Sequence, residues 1–134
     1  MAESERLYQE YKDVVDFYYI YIAEAHALDD KRPQDLAQAK NIYEHKTYTD
    51  RCTVGTMMAK DLHLQMPVIV DGIDNAVTQA YNGRPTRAYI VRKDGAFGVT
   101  GKGGSRNYRD NMEQMIDWLA QYKKTGKEPA LPKK

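Results

Sequence analysis

The residues of this 134-residue chain that could take part in chemistry are three histidines and one cysteine. His26 follows an apolar run, and an imidazole with a pKa near ~6.5 can supply a proton near neutral pH. Cys52 is the only cysteine, so the chain forms no internal disulfide or CxxC pair, and dithiol chemistry would need a second chain or a small thiol. The spacing of His45, Cys52 and His63 fits no common zinc pattern, so we expect no metal.

Each candidate also has a purely structural interpretation. His26 can bond to the backbone of its own loop, and Cys52, inside a predicted helix, can pack as a small apolar side chain. Residues 101–105 (GKGGS) suggest a phosphate-binding loop, but Ala96 stands at the first required glycine and Gly103 at the Ser/Thr position. We therefore interpret this stretch as a glycine turn before the last helix.

The elements that would position these residues alternate between helices and strands. Ser4 is predicted to cap a first helix that reaches residue 15. Residues 17–22 are aromatic or β-branched without polar alternation, which indicates an internal parallel strand covered on both faces. A long loop with one helical turn follows, and then a helix over residues 49–62, with Gly55 as its weak point. The tyrosines of the first strand are predicted to pack in the sheet: Tyr18, Tyr19 and Tyr21.

The remaining elements end in an antiparallel pair. Residues 67–70 predict a short buried strand, and Asp74 is expected to cap the helix after it. Asp94-Gly95 is a strong hairpin signal between apolar segments at residues 88–91 and 96–99. Asn107 is predicted to cap the last helix, which carries an apolar stripe at helical spacing. We expect one α/β domain over residues 1–122 and a frayed, polar, basic tail over residues 123–134.

The composition argues against several classes of partner. Its 20 basic and 19 acidic residues nearly cancel, so the chain has no electrostatic footprint for nucleic acid or an anionic membrane. No apolar run reaches the ~18 residues of a membrane span, and residues 1–13 carry charges where a signal peptide would be apolar. As written, the chain is expected to be cytoplasmic, although residues upstream of Met1 would leave its location open.

The loop formed by residues 83–86 precedes the predicted hairpin directly. This is the place of the cis-proline loop in thioredoxin-like proteins, and a cis bond before Pro85 would fix a sharp turn next to a bound substrate. An ordinary trans turn is the alternative. With the order of its elements, the chain resembles a thioredoxin-like fold, which implies a mixed sheet with helices on both faces.

A series of segments between residues 4 and 119 resembles the iodothyronine deiodinases, selenoenzymes that remove iodine reductively from an aromatic ring. In chain order the segments are Asp16-Phe17, Tyr21-Ile22, Glu24-Ala25-His26, His45, Asp50-Arg51, Val68-Ile69-Val70-Asp71, Asp74-Asn75, Arg87-Ala88-Tyr89-Ile90-Val91 and Gly101-Lys102-Gly103. Ala23 replaces an acidic residue, and Asp30-Lys31 stands where a Gly-Trp pair is usual. These departures affect the expected substrate more than the fold.

The resemblance implies a catalytic role for His26, which would hold the substrate phenol and supply or steer a proton. Glu24 and Pro85 would lie in the same substrate site. Arg87 matches a family arginine that would clamp the opposite end of an iodothyronine, because a guanidinium suits a carboxylate. An arginine at the start of a strand can equally be solvated.

His45 and Arg51 would support the substrate site from the inserted region, although the start of a surface helix has the same pattern. Cys52 is a possible resolving thiol, but it matches no thiol of the family. No resident cofactor is expected. The implied partners are a small aromatic, halogenated substrate and an external thiol reductant, and the chain could also form a homodimer.

In the deiodinases the selenocysteine, or sometimes a cysteine, follows the first strand and precedes the helix predicted here near Ser4. The chain starts too late to contain that residue. Because the selenocysteine triplet normally means stop, we interpret Met1 as an internal methionine of a gene truncated at this triplet. A deliberately shortened chain and a genuine short protein are the alternatives.

The first strand of the family would lie between the strands at Phe17 and Ala88. Its absence would leave two inner edges, with a cost of about 1–3 kcal/mol for each buried, unpaired polar group. We therefore expect a marginal or aggregation-prone chain, or one completed by a donated strand, and no activity in isolation. The alternative functions are a noncatalytic thioredoxin-like binding or assembly module and a thiol-dependent peroxide or disulfide reductase.

Overall fold

The computed structural model describes residues 1–24, 26–103 and 105–131, which form the α/β succession expected from the sequence. The elements in chain order are α1 (Ala2–Tyr11), β1 (Tyr19–Tyr21), α2 (Asp35–Lys40), α3 (Tyr48–Asp61), β2 (Val68–Val70), α4 (Ala76–Ala80), β3 (Ile90–Val91), β4 (Phe97–Val99) and α5 (Ser105–Thr125). No helix in these residues is both long and apolar enough to cross a membrane.

The chain divides into two compact units. The central unit is Phe17–Gly83, and the terminal unit combines Met1–Asp16 with Arg84–Lys134. Each unit contains one two-stranded sheet, β1 with β2 in the central unit and β3 with β4 in the terminal unit.

The sheet of the central unit is parallel, as predicted for β1. Tyr19, Ile20 and Tyr21 stand opposite Val68, Ile69 and Val70. The prediction that these strands are covered on both faces is wrong, because Ile20 and its partner Ile69 are exposed. Successive side chains of a strand point to opposite faces, and the opposite face carries the buried Tyr21 ring against α3.

Gly55 is the point where α3 meets that ring. A Cβ atom at Gly55 would lie 2.9 Å from Tyr21 Cδ1, so the glycine provides space for the tyrosine. The helix itself starts with a capping box, in which Thr47 Oγ1 accepts from the Asp50 amide and the Asp50 carboxylate accepts from the Thr47 amide. The helix predicted over residues 49–62 is therefore confirmed within one residue at each end.

Two predicted N-caps lie inside helices. Ser4 falls in α1, which begins at Ala2, because the Met1 carbonyl already accepts from the Glu5 amide. Asn107 falls in α5, and its side chain donates back to the Gly103 carbonyl over 2.8 Å. Asp74 precedes the N-cap of α4, yet its carboxylate still accepts from the Ala76 amide. Polar residues near a helix start thus predicted the three helices, but none of the three residues is the N-cap itself.

The terminal unit contains the predicted hairpin. β3 and β4 are antiparallel, Ile90 faces Val99, and Gly95 adopts the positive φ of 84° that the turn requires. The peptide bond between Arg84 and Pro85 is cis. The core of this unit is built mainly from one face of α5 and from α1, with these buried apolar residues: Leu7, Tyr11, Met112, Met115, Trp118 and Leu119.

The expectation that the chain frays from residue 123 is wrong through residue 129. α5 continues to Thr125, and the segment after it is bonded to the end of the hairpin. Arg92 Nη1 donates to the Pro129 carbonyl over 2.9 Å, and the Lys93 amide donates to Glu128 over 2.8 Å. These specific bonds outweigh the polar, proline-bearing composition of the segment.

Candidate functional site

A tyrosine and a carboxylate are paired where β1 ends. The Tyr21 hydroxyl donates a hydrogen bond to Glu24, which is half-buried in the loop after the strand. Burial, and then the bond to Glu24, raise the pKa of the Tyr21 phenol above its ordinary value. Tyr21 therefore keeps its proton at neutral pH and holds the carboxylate in place.

His45 lies beside this pair. Its ring centroid is 5.8 Å from that of Tyr21, and the residue is only 8% exposed. His45 Nδ1 accepts a hydrogen bond from Arg51 Nε over 3.4 Å, so the proton of the neutral imidazole resides on Nε2. Within the described chain, this Nε2 atom is buried without a hydrogen-bond partner. The cluster thus contains one N–H donor, His45 Nε2, whose ring is held by Arg51 and which has no acceptor among the described residues.

The charge state of His45 follows from the same surroundings. Burial, and then the positive charge of Arg51, lower the pKa of His45 from its ordinary value. A protonated imidazole would also lose the acceptor atom that Arg51 uses. His45 is therefore a neutral hydrogen-bond donor at neutral pH.

Arg51 is the buried connection between His45 and the rest of the central unit. It is 2% exposed, and its Nη1 donates to the carbonyls of Asp71 over 3.3 Å and of Gly72 over 2.5 Å. These bonds join α3 to the loop after β2. Because these two bonds fix the guanidinium, its Nε can fix the orientation of the His45 ring.

Asp71 completes this network at the start of α4. Its carboxylate accepts from the Val77 amide over 3.0 Å and from the Thr78 amide and hydroxyl over 2.9 and 2.6 Å. Burial alone would raise the pKa of Asp71, but these hydrogen bonds hold it below its ordinary value. Asp71 is therefore an ionised cap for the first turn of α4.

His26 has a different environment. Its Nδ1 lies 3.6 Å from the Asp30 carboxylate, which is beyond hydrogen-bond distance, and its backbone carbonyl accepts from the Gln34 amide. Protonation of His26 would allow an ion pair with Asp30. The contacts of the described residues therefore join Tyr21, Glu24, His45 and Arg51 in one cluster, whereas those of His26 stay within its local loop.

Cys52 follows Arg51 on α3 and is half-buried. The nearby Cys52 thiol raises the pKa of the Tyr48 phenol, one turn earlier on the helix, above its ordinary value. No group of three or more His, Cys, Asp or Glu side chains in the described ranges could hold a metal ion.

Arg87 and Pro85 belong to the terminal unit. Arg87 Nη1 approaches the Gly101 carbonyl at 3.4 Å. A Cβ atom at Gly101 would lie 2.7 Å from Arg87 Cβ, and one at Gly103 would lie 2.6 Å from Arg87 Nη2. The glycines at these two positions give the arginine side chain room beside the turn.

Three residues of these networks were missed as functional candidates. Tyr21 was predicted to pack in the sheet, with stacking on a substrate ring as the alternative. A tyrosine at the end of a strand and a glutamate three residues later could have indicated the hydrogen-bonded pair. Asp71 also directly follows a strand, where polar side chains of α/β proteins often gather. Asn111, buried in α5, had no such signal, because its bonding partners lie 9 to 23 residues away in sequence.

The fold and cluster define an α/β protein that has, where a parallel strand ends, a half-buried tyrosine–carboxylate pair and a buried, neutral imidazole donor. The family model for iodothyronine deiodinase matches residues 1–123. Thyroxine 5-deiodinase of Sparus aurata is 31% identical over 123 residues, which cover 92% of this chain and 44% of that protein. The Gallus gallus enzyme of the same name is 30% identical, with coverage of 92% and 45%.

Type II iodothyronine deiodinase of Rattus norvegicus is 29% identical over 117 residues, which cover 85% of this chain and 43% of that protein. The chain therefore belongs to the iodothyronine deiodinase family, which confirms the resemblance seen in its sequence. It spans less than half the length of these relatives.

Proposed function

We propose that this chain is the substrate-binding part of an enzyme that removes iodine reductively from an iodothyronine. The observation that carries the proposal is the cluster of Tyr21, Glu24 and His45 where β1 ends, in a chain whose relatives are named as deiodinases. His45 Nε2 offers a buried hydrogen-bond donor to an oxygen of the substrate, such as that of an iodophenol. The Tyr21–Glu24 pair provides the polar groups beside this donor.

Exchange of iodine for hydrogen needs a nucleophile and a proton. The nucleophile takes iodine as a formal I⁺, the carbon–iodine electron pair stays on the ring carbon, and a proton completes the new C–H bond. One thiol then displaces iodide from the oxidised nucleophile, and a second thiol restores its reduced form while the two thiols become a disulfide. We assign the proton delivery to His26 and the binding of the substrate oxygen to His45.

The nucleophile itself is proposed to lie upstream of Met1, as a selenocysteine or cysteine after the first strand of a thioredoxin-like sheet. That strand would pair with the edge of β1 that faces away from β2. The length of the relatives, of which this chain covers less than half, supports the proposal.

A noncatalytic assembly module is the second candidate function. The exposed apolar pair Ile20 and Ile69 on the sheet of the central unit favours it, because an apolar sheet face that is open to solvent can pack against another chain. The two candidates differ in what precedes the Met1 codon. An in-frame TGA or cysteine codon after a strand-like pattern supports the enzyme, whereas a genuine start signal without that pattern supports the module.

Binding of thyroxine tests the proposed role of His45 in the chain itself. His45→Gln keeps a donor near the position of Nε2, whereas His45→Phe removes it. We expect the Phe variant to bind about 10- to 100-fold more weakly, as one hydrogen bond to a charged phenolate is worth about 1.5–3 kcal/mol. The Gln variant should stay within a few-fold of the native chain. Equal affinity of the Phe variant and the native chain would refute this role.

A further inference from the structure

We propose that Asn111 is a positioning residue that sets the direction of the Arg87 guanidinium in the terminal unit. The inference rests on the proposed function in one respect, since it takes an iodothyronine as the substrate and gives Arg87 the role that the family resemblance implies, binding of the substrate carboxylate. The local geometry that carries it involves only described residues of this unit. It begins with an asparagine that is 0% exposed.

The Asn111 side chain bonds to four backbone groups. Its Oδ1 accepts from the Ala88 amide over 3.0 Å and from the Lys102 amide over 3.4 Å. Its Nδ2 donates to the carbonyls of Ala88 over 3.1 Å and of Thr100 over 3.5 Å. These bonds use both donors and both acceptor positions of the amide.

The four bonds fix two stretches of backbone that lie next to the Arg87 side chain. Ala88 follows Arg87 directly, and both of its backbone groups are bonded to one side chain, so Asn111 holds the backbone from which the arginine extends. Thr100 and Lys102 flank Gly101, whose carbonyl lies 3.4 Å from Arg87 Nη1. Asn111 therefore holds the base of the arginine and the turn beside its guanidinium at once.

The glycine turn limits where the guanidinium can go. A Cβ atom at Gly103 would lie 2.6 Å from Arg87 Nη2 and 2.9 Å from its Cζ, at the flexible end of the side chain. Gly103→Ala should therefore move the guanidinium without disturbing Asn111. At Gly101 the same atom would meet Arg87 Cβ and the Tyr89 ring, so a substitution there would also disturb packing.

Two variants separate positioning from a purely structural role. Asn111→Asp keeps the size and the Oδ acceptors but loses the bonds donated to Ala88 and Thr100. Gly103→Ala is the second variant, and it leaves Asn111 intact should the Asp variant fail to fold. Arg87→Met is the reference that removes the guanidinium.

The first measurement is binding of two probes to the full chain: thyroxine, and the amine analogue that lacks its carboxylate. We expect Asn111→Asp and Gly103→Ala to weaken thyroxine binding about 10-fold and to leave analogue binding within 2-fold of the native chain. Combining Asn111→Asp with Arg87→Met should weaken thyroxine binding no further than Arg87→Met alone. An equal loss for both probes in the two variants would overturn the positioning role.

The second measurement is the ¹⁵N–¹H signal of the Arg87 Nε group, which needs no ligand. In the native chain it should lie apart from the signals of solvated arginines, and in Asn111→Asp or Gly103→Ala it should move toward them. An unmoved Arg87 signal in folded variants overturns the inference. If the native chain binds neither probe, the proposed function fails, while this signal still decides whether Asn111 positions Arg87.

Discussion

Replacing Arg51 with methionine should destabilise the central unit and change the ionisation of His45. Methionine fills a similar volume but has no donor, so the carbonyls of Asp71 and Gly72 lose their buried partner. The 2% exposure of Arg51 means that water cannot replace the guanidinium without rearrangement. Arg51→Lys is the matched control, because it keeps the charge but has no Nε to bond to His45.

The magnitude follows from the three bonds that are lost. An unpaired buried acceptor costs about 1–3 kcal/mol, so the Asp71 carbonyl and His45 Nδ1 together cost about 2–6 kcal/mol, whereas the Gly72 carbonyl keeps its bond from the Asn75 amide. Removal of a buried charge recovers part of this cost, because the guanidinium no longer has to be desolvated. We expect a net loss of about 3 kcal/mol for methionine and about half of that for lysine, which can still reach one carbonyl.

Urea unfolding followed by circular dichroism measures this loss, and an unchanged m value would show that the denatured state is the same. NMR titration of His45 in the same proteins gives a second result. The pKa of His45 should rise toward its ordinary value in the Met variant, which lacks the charge of Arg51, and stay lower in the Lys variant. A Met variant within about 0.5 kcal/mol of the native chain would refute the role given to Arg51.

Three further predictions concern the same unit. Gly55→Ala should lower the free energy of unfolding in urea by about 1–2 kcal/mol, because the new Cβ meets the Tyr21 ring, although alanine usually favours a helix by about 1 kcal/mol. The control Thr56→Ala, at an exposed position of the same helix, should change this free energy by less than ~0.5 kcal/mol. A Gly55→Ala variant more stable than the native chain would contradict the packing. Asp71 has a lowered pKa in the folded state, so its stabilisation is complete above the unfolded value of about 3.9 and is lost as the pH falls through the folded pKa. The gap in unfolding free energy between the native chain and Asp71→Asn should therefore narrow from pH 7 to pH 3, and a constant gap would argue against an ionised cap. For His45 the folded state favours the neutral ring, so stability should fall as the pH drops through about 6.5, and an NMR midpoint at or above 6.5 would exclude the neutral donor.

Local signals in the sequence predicted the hairpin and α3 well. Asp94-Gly95 needs only its neighbours to form a turn, and the apolar face that predicted α3 repeats within the helix itself. Such features depend on backbone preferences that the chain carries locally. The Glu24 candidate from the family resemblance also lies in the observed cluster.

The features that could not be predicted depend on distant contacts. Whether both faces of β1 are covered depends on elements far along the chain, so the apolar run alone could not show that Ile20 would be exposed. The family resemblance placed Arg51 beside the substrate site, but its pattern is also that of a surface helix start, and its acceptors at Asp71 and Gly72 are 20 and 21 residues away. The partners of Asn111 are similarly remote. Tertiary hydrogen bonds of this kind leave no periodic pattern.

The central claim is tested most directly by iodide release from thyroxine in the presence of a thiol reductant. The measurement compares the 134-residue chain with the same chain extended upstream through its own reading frame, with any in-frame TGA decoded as selenocysteine. We predict iodide release by the extended chain alone, and its loss when the upstream selenocysteine or cysteine is replaced by serine. Release by the 134-residue chain itself, or no release by the extended chain, would contradict the account.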